Sequence, residues 1–353
     1  MYRTQKPSIR RRAGLSLLLL PPLLFCFLFF GLSYLVAPEP DITVQTGIGS
    51  ATVDGRDLVL VPYERHGPRG MFQLMTEDMF QVRLAATDPA TGKVRWDTQL
   101  SDRLVWEATV LAAGQRYAYL ATDSGLAIVD IRDGSIAARG DGVAGLGGSF
   151  VAKRSAYGYD ARRHRVVAMN ADGTILAIPL DTLVAKPTEE DATTWASALA
   201  PDRARITSPG ATASQATLGS GERVEVRARP AGAPGRVLVR VTADGRAIPI
   251  GGAVFQQAAV VVDGPRAVGD GAGSVLVAHN RSVNDTGAAL SAVSLATGAV
   301  TGSLTVDSAP AKAIALPGGG TVLATRETLV VLGADGHLTA SRIGATDFFG
   351  NPT

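Results

Sequence analysis

The chain has 353 residues, of which 46% are hydrophobic and 19% charged, a composition that indicates a folded globular protein and excludes a mainly disordered one. Its formal net charge is +2, but five basic residues and no acidic one lie among the first twelve positions, so the remainder is slightly acidic. The residues after this segment contain no concentrated cluster of basic residues, so we do not expect a nucleic acid as partner.

The N-terminal region predicts a membrane anchor. Residues 1–12 form a basic tail, and residues 13–37 are apolar and uncharged, which exceeds the roughly 20 residues needed to cross a bilayer. The run ends at Ala37 without a small-x-small cleavage site, so we expect an uncleaved transmembrane signal anchor; a long cleaved signal is the alternative. The positive-inside rule places the tail in the cytoplasm and the chain from residue 38 onward outside the cell membrane.

Strand patterns begin directly after the anchor, but residues 63–80 depart from them. Met71, Met75 and Met79 recur there at intervals of four, a spacing that places them on one face if the stretch is helical; a long loop between strands is the alternative. Together with His66, the thioethers suit a soft metal such as Cu(I), although Met more commonly fills an irregular apolar seam. We therefore expect no metal here and interpret these four residues as a possible interaction surface.

A turn motif follows that is typical of a propeller blade. A strand ending at Ala86 runs into the turn Asp88-Pro-Ala-Thr91-Gly92, where Gly92 supplies the positive φ of a tight hairpin, and the returning strand carries Trp96. This resembles the repeat of the pyrroloquinoline-quinone-type (PQQ-type) β-propellers, in which an Ala-x-Asp-x-x-Thr-Gly turn joins the two outer strands and the Trp packs between neighbouring blades. The resemblance implies a scaffold and no particular cofactor.

Weaker copies of the turn recur along the chain. They include Asp133-Gly134, Asp172-Gly173, Asp244-Gly245, Thr297-Gly298 and Asp335-Gly336. Gly92 and Gly134 are separated by about 42 residues, the length of a four-stranded blade. We therefore predict an all-β fold, a seven-bladed β-propeller over residues 38–346 preceded by one transmembrane helix; six or eight blades remain open.

Two parts of the predicted domain break the periodicity. Residues 184–236 are rich in Ser, Thr, Ala, Gly and Pro, which indicates an exposed insertion with a poorly formed blade. Residues 347–353 are expected to close the ring or to dock as a tail.

The sequence shows no pattern typical of a catalytic, cofactor or metal site. The four His residues lie far apart, the single Cys, Cys26, lies in the apolar run, and no phosphate loop or Gly-x-Ser-x-Gly elbow occurs. We therefore predict no catalytic, cofactor-binding or metal-binding residues and no cofactor. Arg162 and Arg163 precede a strand, where they form either a solvated turn or a contact with an acidic partner or a lipid headgroup.

The Ala-, Gly- and Arg-rich composition is typical of a bacterial protein. We predict a membrane-tethered extracytoplasmic propeller that is not an enzyme and acts as a protein-binding or scaffolding module in the bacterial cell envelope, with an envelope protein as partner. The alternative is an anchored propeller enzyme, either a quinone- or metal-dependent oxidoreductase or a lyase, that uses the central funnel. It requires three or more carboxylate or His side chains that converge on the propeller axis.

Overall fold

The computed structural model describes residues 19–199 and 210–351. The described chain is mostly β, built from six antiparallel units of four strands that follow one another in sequence. In unit 1 the first strand is divided in two, because β1 and β2 pair with opposite ends of β3. Unit 1 contains β1 (Asp41–Val44), β2 (Gly49–Val53), β3 (Arg56–His66), β4 (Phe80–Thr87) and β5 (Val94–Ser101).

Units 2 and 3 are simple four-stranded meanders. Unit 2 contains β6 (Ala108–Ala113), β7 (Tyr117–Thr122), β8 (Gly125–Asp130) and β9 (Ile136–Arg139). Unit 3 contains β10 (Tyr157–Asp160), β11 (Arg165–Met169), β12 (Ile175–Pro179) and β13 (Lys186–Pro187).

Units 4 and 5 join into one ten-stranded sheet. The short strand β20 (Arg266–Ala267) pairs with one strand of each unit, and a second short strand, β14 (Thr212–Ala213), pairs with the first strand of unit 5. Unit 4 contains β15 (Gln215–Thr217), β16 (Arg223–Ala228), β17 (Arg236–Val241) and β18 (Ala247–Pro249). Unit 5 contains β19 (Gln256–Asp263), β21 (Ser274–Asn280), β22 (Ala288–Ser294) and β23 (Val300–Thr305). Unit 6 contains β24 (Lys312–Ala315), β25 (Thr321–Ala324), β26 (Thr328–Leu332) and β27 (Leu338–Arg342).

The units pack face to face, so most sheets bury both surfaces. Alternation along β3 shows this: Leu58 and Leu60 face unit 2, whereas Val59 and Val61 face unit 6. Five of the hydrophobic clusters lie between successive sheets, in the order 4–5, 5–6, 6–1, 1–2 and 2–3. This stacking, with the first and last units in contact, is β-propeller-like.

The seven blades predicted from length are not confirmed, since the described residues contain six units. The difference arises after β13, where the chain forms a helix (Ala192–Ala198, the inserted helix) instead of a sheet. Trp195 and Leu199 cover Val167 and Met169, on a face of unit 3. The predicted insertion over 184–236 is therefore shorter than expected, because its second half builds the first two strands of unit 4.

A helix from Leu19 to Val36, here called the apolar helix, precedes unit 1 and is long and apolar enough to cross a membrane. None of its residues is buried, and Phe27–Leu32 is π-helical. At 1.5 Å per residue it is roughly 27 Å long, close to the hydrocarbon thickness of a bilayer. The predicted cytoplasmic tail, residues 1–12, and the start of the predicted anchor lie outside the described residues.

Candidate functional site

The turn-motif residues lie at contacts between neighbouring units. In the β4–β5 turn, Asp88 Oδ1 accepts hydrogen bonds from the backbone N–H groups of Ala90 (2.9 Å) and Thr91 (3.2 Å), and Gly92 has a φ of +70°. Trp96 is 8% exposed, and its Nε1 donates to the backbone oxygen of Ile131 in unit 2 at 2.8 Å. The motif thus both shapes a hairpin and connects unit 1 to unit 2.

Two other turns repeat this backbone pattern. The three turns run over residues 88–93, 130–135 and 294–299. In each, the backbone N–H of the first residue donates to the carbonyl of the sixth. The fifth residue is a Gly, whose N–H donates to the carbonyl of the first residue. Asp133 Oδ1 accepts from Ser135 N at 2.9 Å, and Thr297 Oγ1 accepts from Ala299 N at 3.2 Å. Gly134 and Gly298 also have a positive φ, which explains why Gly recurs at the fifth position of these turns.

Gly134 has a second, steric role. Its Cα lies against Trp96 of the preceding unit, so closely that a Cβ would stand 2.5 Å from the indole ring. Thr98 Oγ1 donates to the Gly134 carbonyl at 2.8 Å. Trp96 and Gly134 therefore form a matched pair across the contact between units 1 and 2.

Arg162 and Arg163 lie in the β10–β11 turn, and both form ion pairs within the chain. Arg162 Nη2 is 3.3 Å from Asp191 Oδ2, and Arg163 Nε is 3.1 Å from Glu190 Oε2. Burial of the Asp160 carboxyl raises its pKa, but hydrogen bonds from Arg165 and Arg163 outweigh burial, so the pKa of Asp160 is lowered overall. This cluster fastens the start of the inserted helix to unit 3.

The Met residues lie near a short helix, Gly70–Thr76, here called the Met-rich helix, which forms the connection between β3 and β4. The helix ends at Thr76, so the predicted helical face contains Met71 and Met75 but not Met79. Met75 and Met79 are 69% and 49% exposed. His66 Nε2 lies 3.3 Å from Glu64 Oε2, and its ring contacts Phe80 edge-on at 5.6 Å.

The Met-rich helix meets the apolar helix and the C-terminal residues at one place, here called the junction. Met71 N donates to Ser33 Oγ at 3.0 Å, and Tyr34 Oη donates to the Thr346 carbonyl at 3.0 Å. The Phe72 ring lies at the centre of an aromatic cluster. Its centroid is 6.2 Å from Phe30, 5.2 Å from Phe348 and 5.6 Å from Phe349. Phe348 and Phe349, in the described part of the predicted tail, therefore lie beside the apolar helix.

A buried polar network supports the junction from the side of unit 1. Gln73 is fully buried, and its Nε2 donates to the Asp347 carbonyl at 2.8 Å. Arg65 is 2% exposed; its Nη2 donates to Gln73 Oε1 at 2.8 Å and to Thr346 Oγ1 at 3.3 Å, and pairs with Glu77 Oε2 at 3.1 Å. One guanidinium thus joins β3, the Met-rich helix and Thr346, the residue before the tail.

The opposite end of unit 1 carries an open groove of about 520 Å³ at its contact with unit 6. Apolar residues line it, among them Pro89, Ala90, Leu316 and Val331, together with the polar residues Arg56, Asp57, Asp88 and Thr91. Arg56 and His66 are the two ends of β3, roughly 33 Å apart at 3.3 Å per residue. The groove and the junction therefore lie on opposite faces of the ring.

Unit 3 is coupled to unit 2 by a carboxylate. Asp181 accepts backbone hydrogen bonds from Gln115 (2.9 Å), Arg116 (2.7 Å) and Tyr117 (3.2 Å). Burial raises the pKa of this carboxyl, but the three N–H donors outweigh burial, so the pKa lies below its ordinary value.

This shift predicts a pH dependence of stability. A carboxyl with a lowered folded-state pKa stabilises the fold above its ordinary pKa of about 4, and this contribution is lost as pH falls through the lower folded value. We expect Asp181→Asn to lower the thermal unfolding midpoint at pH 7, and the difference from wild type to narrow as pH falls below about 4. Unfolding midpoints across that pH range test this, and a gap independent of pH would contradict it.

Among the described residues, no group of three or more His, Cys, Asp or Glu side chains is placed to hold a metal ion. Sequence reasoning missed the Arg65–Gln73 network and the groove. The only signal for the network was a Gln within an otherwise apolar stretch, and the groove had none, because residues distant in sequence form it.

No protein-family model and no curated protein matches the chain. Among solved structures, the AtxE2 isopeptidase with Astexin3-dC4 bound aligns with a TM-score of 0.42 and 12% identity, over 88% of this chain and 53% of that one. PorZ, a surface component of the type-IX secretion system of Porphyromonas gingivalis, aligns with a TM-score of 0.27 and 9% identity, over 88% and 40%. A protein of unknown function from Bacteroides caccae aligns with a TM-score of 0.27 and 12% identity, over 74% and 89%. Since these TM-scores lie below 0.5, none carries an argument about activity, and the PQQ-type repeat stays a prediction.

Proposed function

We propose that the chain is a single-pass membrane protein, with its N-terminus in the cytoplasm, that holds a six-bladed PQQ-like propeller outside the bacterial cell membrane. The propeller acts as a binding module for an envelope protein. The observation that carries this proposal is the separation of the junction from the groove by the length of β3. A ring attached to a membrane through the junction presents its groove away from the membrane, where a second protein has access.

The chemistry of the groove supports a protein ligand. Its lining combines apolar side chains, such as Leu316 and Val331, with the turn around the exposed Ala90 and with the charged residues Arg56 and Asp57. Interfaces of this kind combine an apolar centre with a polar edge. The groove is open and is lined by residues of two units, which suits a peptide segment better than an enclosed small molecule.

A matched pair of substitutions tests the proposal. Ala90 is exposed in the β4–β5 turn and lines the groove, whereas Ala296 is exposed at the same position of the equivalent turn in unit 5. We expect Ala90→Arg, which fills the groove, to reduce capture of the envelope partner by cross-linking in the native membrane at least about ten-fold, the effect of roughly 1.4 kcal/mol. Ala296→Arg leaves capture unchanged.

We expect both variants to remain folded, and thermal unfolding tests this. If the two variants reduce capture equally, or if neither does while the wild type captures a partner in near-stoichiometric amounts, the groove is not the binding surface.

A further inference from the structure

The junction presents apolar side chains outward as well as inward. Leu74, Met75, Met79 and Phe349 are 45%, 69%, 49% and 63% exposed, and they surround the place where the apolar helix meets the ring. An apolar patch of this kind on a soluble surface marks a contact with another apolar phase. We propose that these residues form a second membrane contact and lie in the interfacial layer of the lipid leaflet nearest the ring. This inference rests on the proposed function, since it requires the apolar helix to span the membrane.

The depth of the Met-rich helix follows from its partners. Ser33 and Phe30 lie three and six residues before Val36, which places them roughly 4.5 Å and 9 Å inside the end of the apolar helix. Met71 donates to Ser33, and the Phe72 ring contacts Phe30. The Met-rich helix is thus level with the last two turns of the apolar helix. An amphipathic helix at a membrane surface buries its apolar face to about 5–10 Å, a comparable depth.

A close backbone approach fixes the Met-rich helix at this level. Gly70 has a φ of +77°, and a Cβ there would stand 2.7 Å from the Cα of Tyr34. The helix cannot retreat from the apolar helix without breaking this contact and the hydrogen bond of Met71. Its outward residues are therefore held beside any lipid that surrounds the apolar helix.

Charged and aromatic groups lie where lipid headgroups are expected. The Arg69 guanidinium stacks over the Tyr34 ring at 4.5 Å, and both Arg69 and Arg342 pair with Glu39, three residues beyond the apolar helix. Glu39, Arg69 and Arg342 line a cavity of about 260 Å³. Tyr and Arg are residues that favour the headgroup layer. The surface therefore changes from apolar beside the apolar helix to polar beyond its end, as a lipid leaflet does from its acyl chains to its headgroups. We therefore assign the patch to phospholipid and not to a second protein.

Depth-dependent fluorescence quenching in reconstituted vesicles tests this contact. The full chain is labelled with bimane at one Cys, then reconstituted into phosphatidylcholine vesicles with or without bromine on the acyl chains. Native Cys26, in the apolar helix, reports the span itself; Met75→Cys on a Cys26→Ser background reports the contact. Val300→Cys on the same background is the control, because Val300 is 46% exposed and lies beside the Gly298 turn, which is equivalent to the Gly92 turn at the groove end of unit 1.

We expect brominated lipid to quench the labels at positions 26 and 75 at least about two-fold and the label at position 300 negligibly. Quenching at position 26 with none at position 75 overturns the second membrane contact and leaves the anchor intact. Absence of quenching at position 26 overturns both the anchor and the contact. A second copy of the chain over the patch would also shield position 75 from lipid, and so would count against the proposal.

Discussion

Gly134→Ala is expected to lower the free energy of unfolding by about 3 kcal/mol. Part of the loss, about 1–2 kcal/mol, arises because an L-residue with a side chain is strained at the φ of +77° found here. The rest arises because the new Cβ would stand 2.5 Å from Trp96, so the indole must move from its place between units 1 and 2, a displacement that costs about 1–3 kcal/mol.

Gly336→Ala separates the two causes. Gly336 has nearly the same φ, +79°, but nothing lies within 4 Å of the position that its Cβ would take. We expect this control to cost only the backbone part, about 1–2 kcal/mol. Urea unfolding of the full chain in detergent, followed by tryptophan fluorescence, measures both variants. If the two variants lose the same free energy of unfolding, the close approach of Trp96 to Gly134 does not contribute to stability.

Arg65→Met should destabilise the protein by about 3–5 kcal/mol, since removal of one partner of a buried ion pair leaves the other partners without compensation. Glu77 and the amide of Gln73 would lose their guanidinium donor in a nearly dry site, and Thr346 would lose its connection to β3. The Met side chain has a similar length, so lost packing contributes little to the effect.

The matched control is Arg227→Met. Arg227 also forms a close ion pair, with Glu225 at 2.7 Å, but its side chain is 46% exposed, and exposed pairs contribute at most about 1 kcal/mol. Besides stability, hydrogen exchange at residues 346–351 distinguishes a local role: we expect faster exchange there for Arg65→Met and no change for Arg227→Met. If the tail stays protected in both variants, Arg65 does not hold the junction together.

The parts of the fold that depend on local chemistry were predictable. The Asp88–Gly92 turn follows from the preference of Gly for positive φ and of Asp for capping its own backbone, and the apolar helix follows from its length and hydrophobicity. The spacing from Gly92 to Gly134 indicated one complete unit correctly, because both residues occupy the same turn in consecutive units.

What depends on contacts between distant segments was not predictable. Asp172-Gly173 has the composition of the motif turn, yet it joins the second and third strands of unit 3, whereas the motif turn joins the third and fourth strands. The composition of a turn therefore does not show which pair of strands it joins. Arg65 and Thr346 are separated by 281 residues, and no local pattern brings them together.

The way the ring closes has a consequence for biogenesis. Within residues 19–199 and 210–351, all four strands of unit 6 come from one stretch, residues 312–342, and no strand is exchanged with unit 1. The surface of Val59 and Val61 thus stays uncovered until unit 6, residues 312–342, has been synthesised and has folded. Because Thr346 and Asp347, which follow unit 6 directly, dock at the junction, the chain must be synthesised beyond unit 6 before both the contact of unit 6 with unit 1 and the junction can form. Nascent chains that stall before residue 312 would keep an exposed, aggregation-prone apolar sheet face and become substrates for chaperones and quality-control proteases.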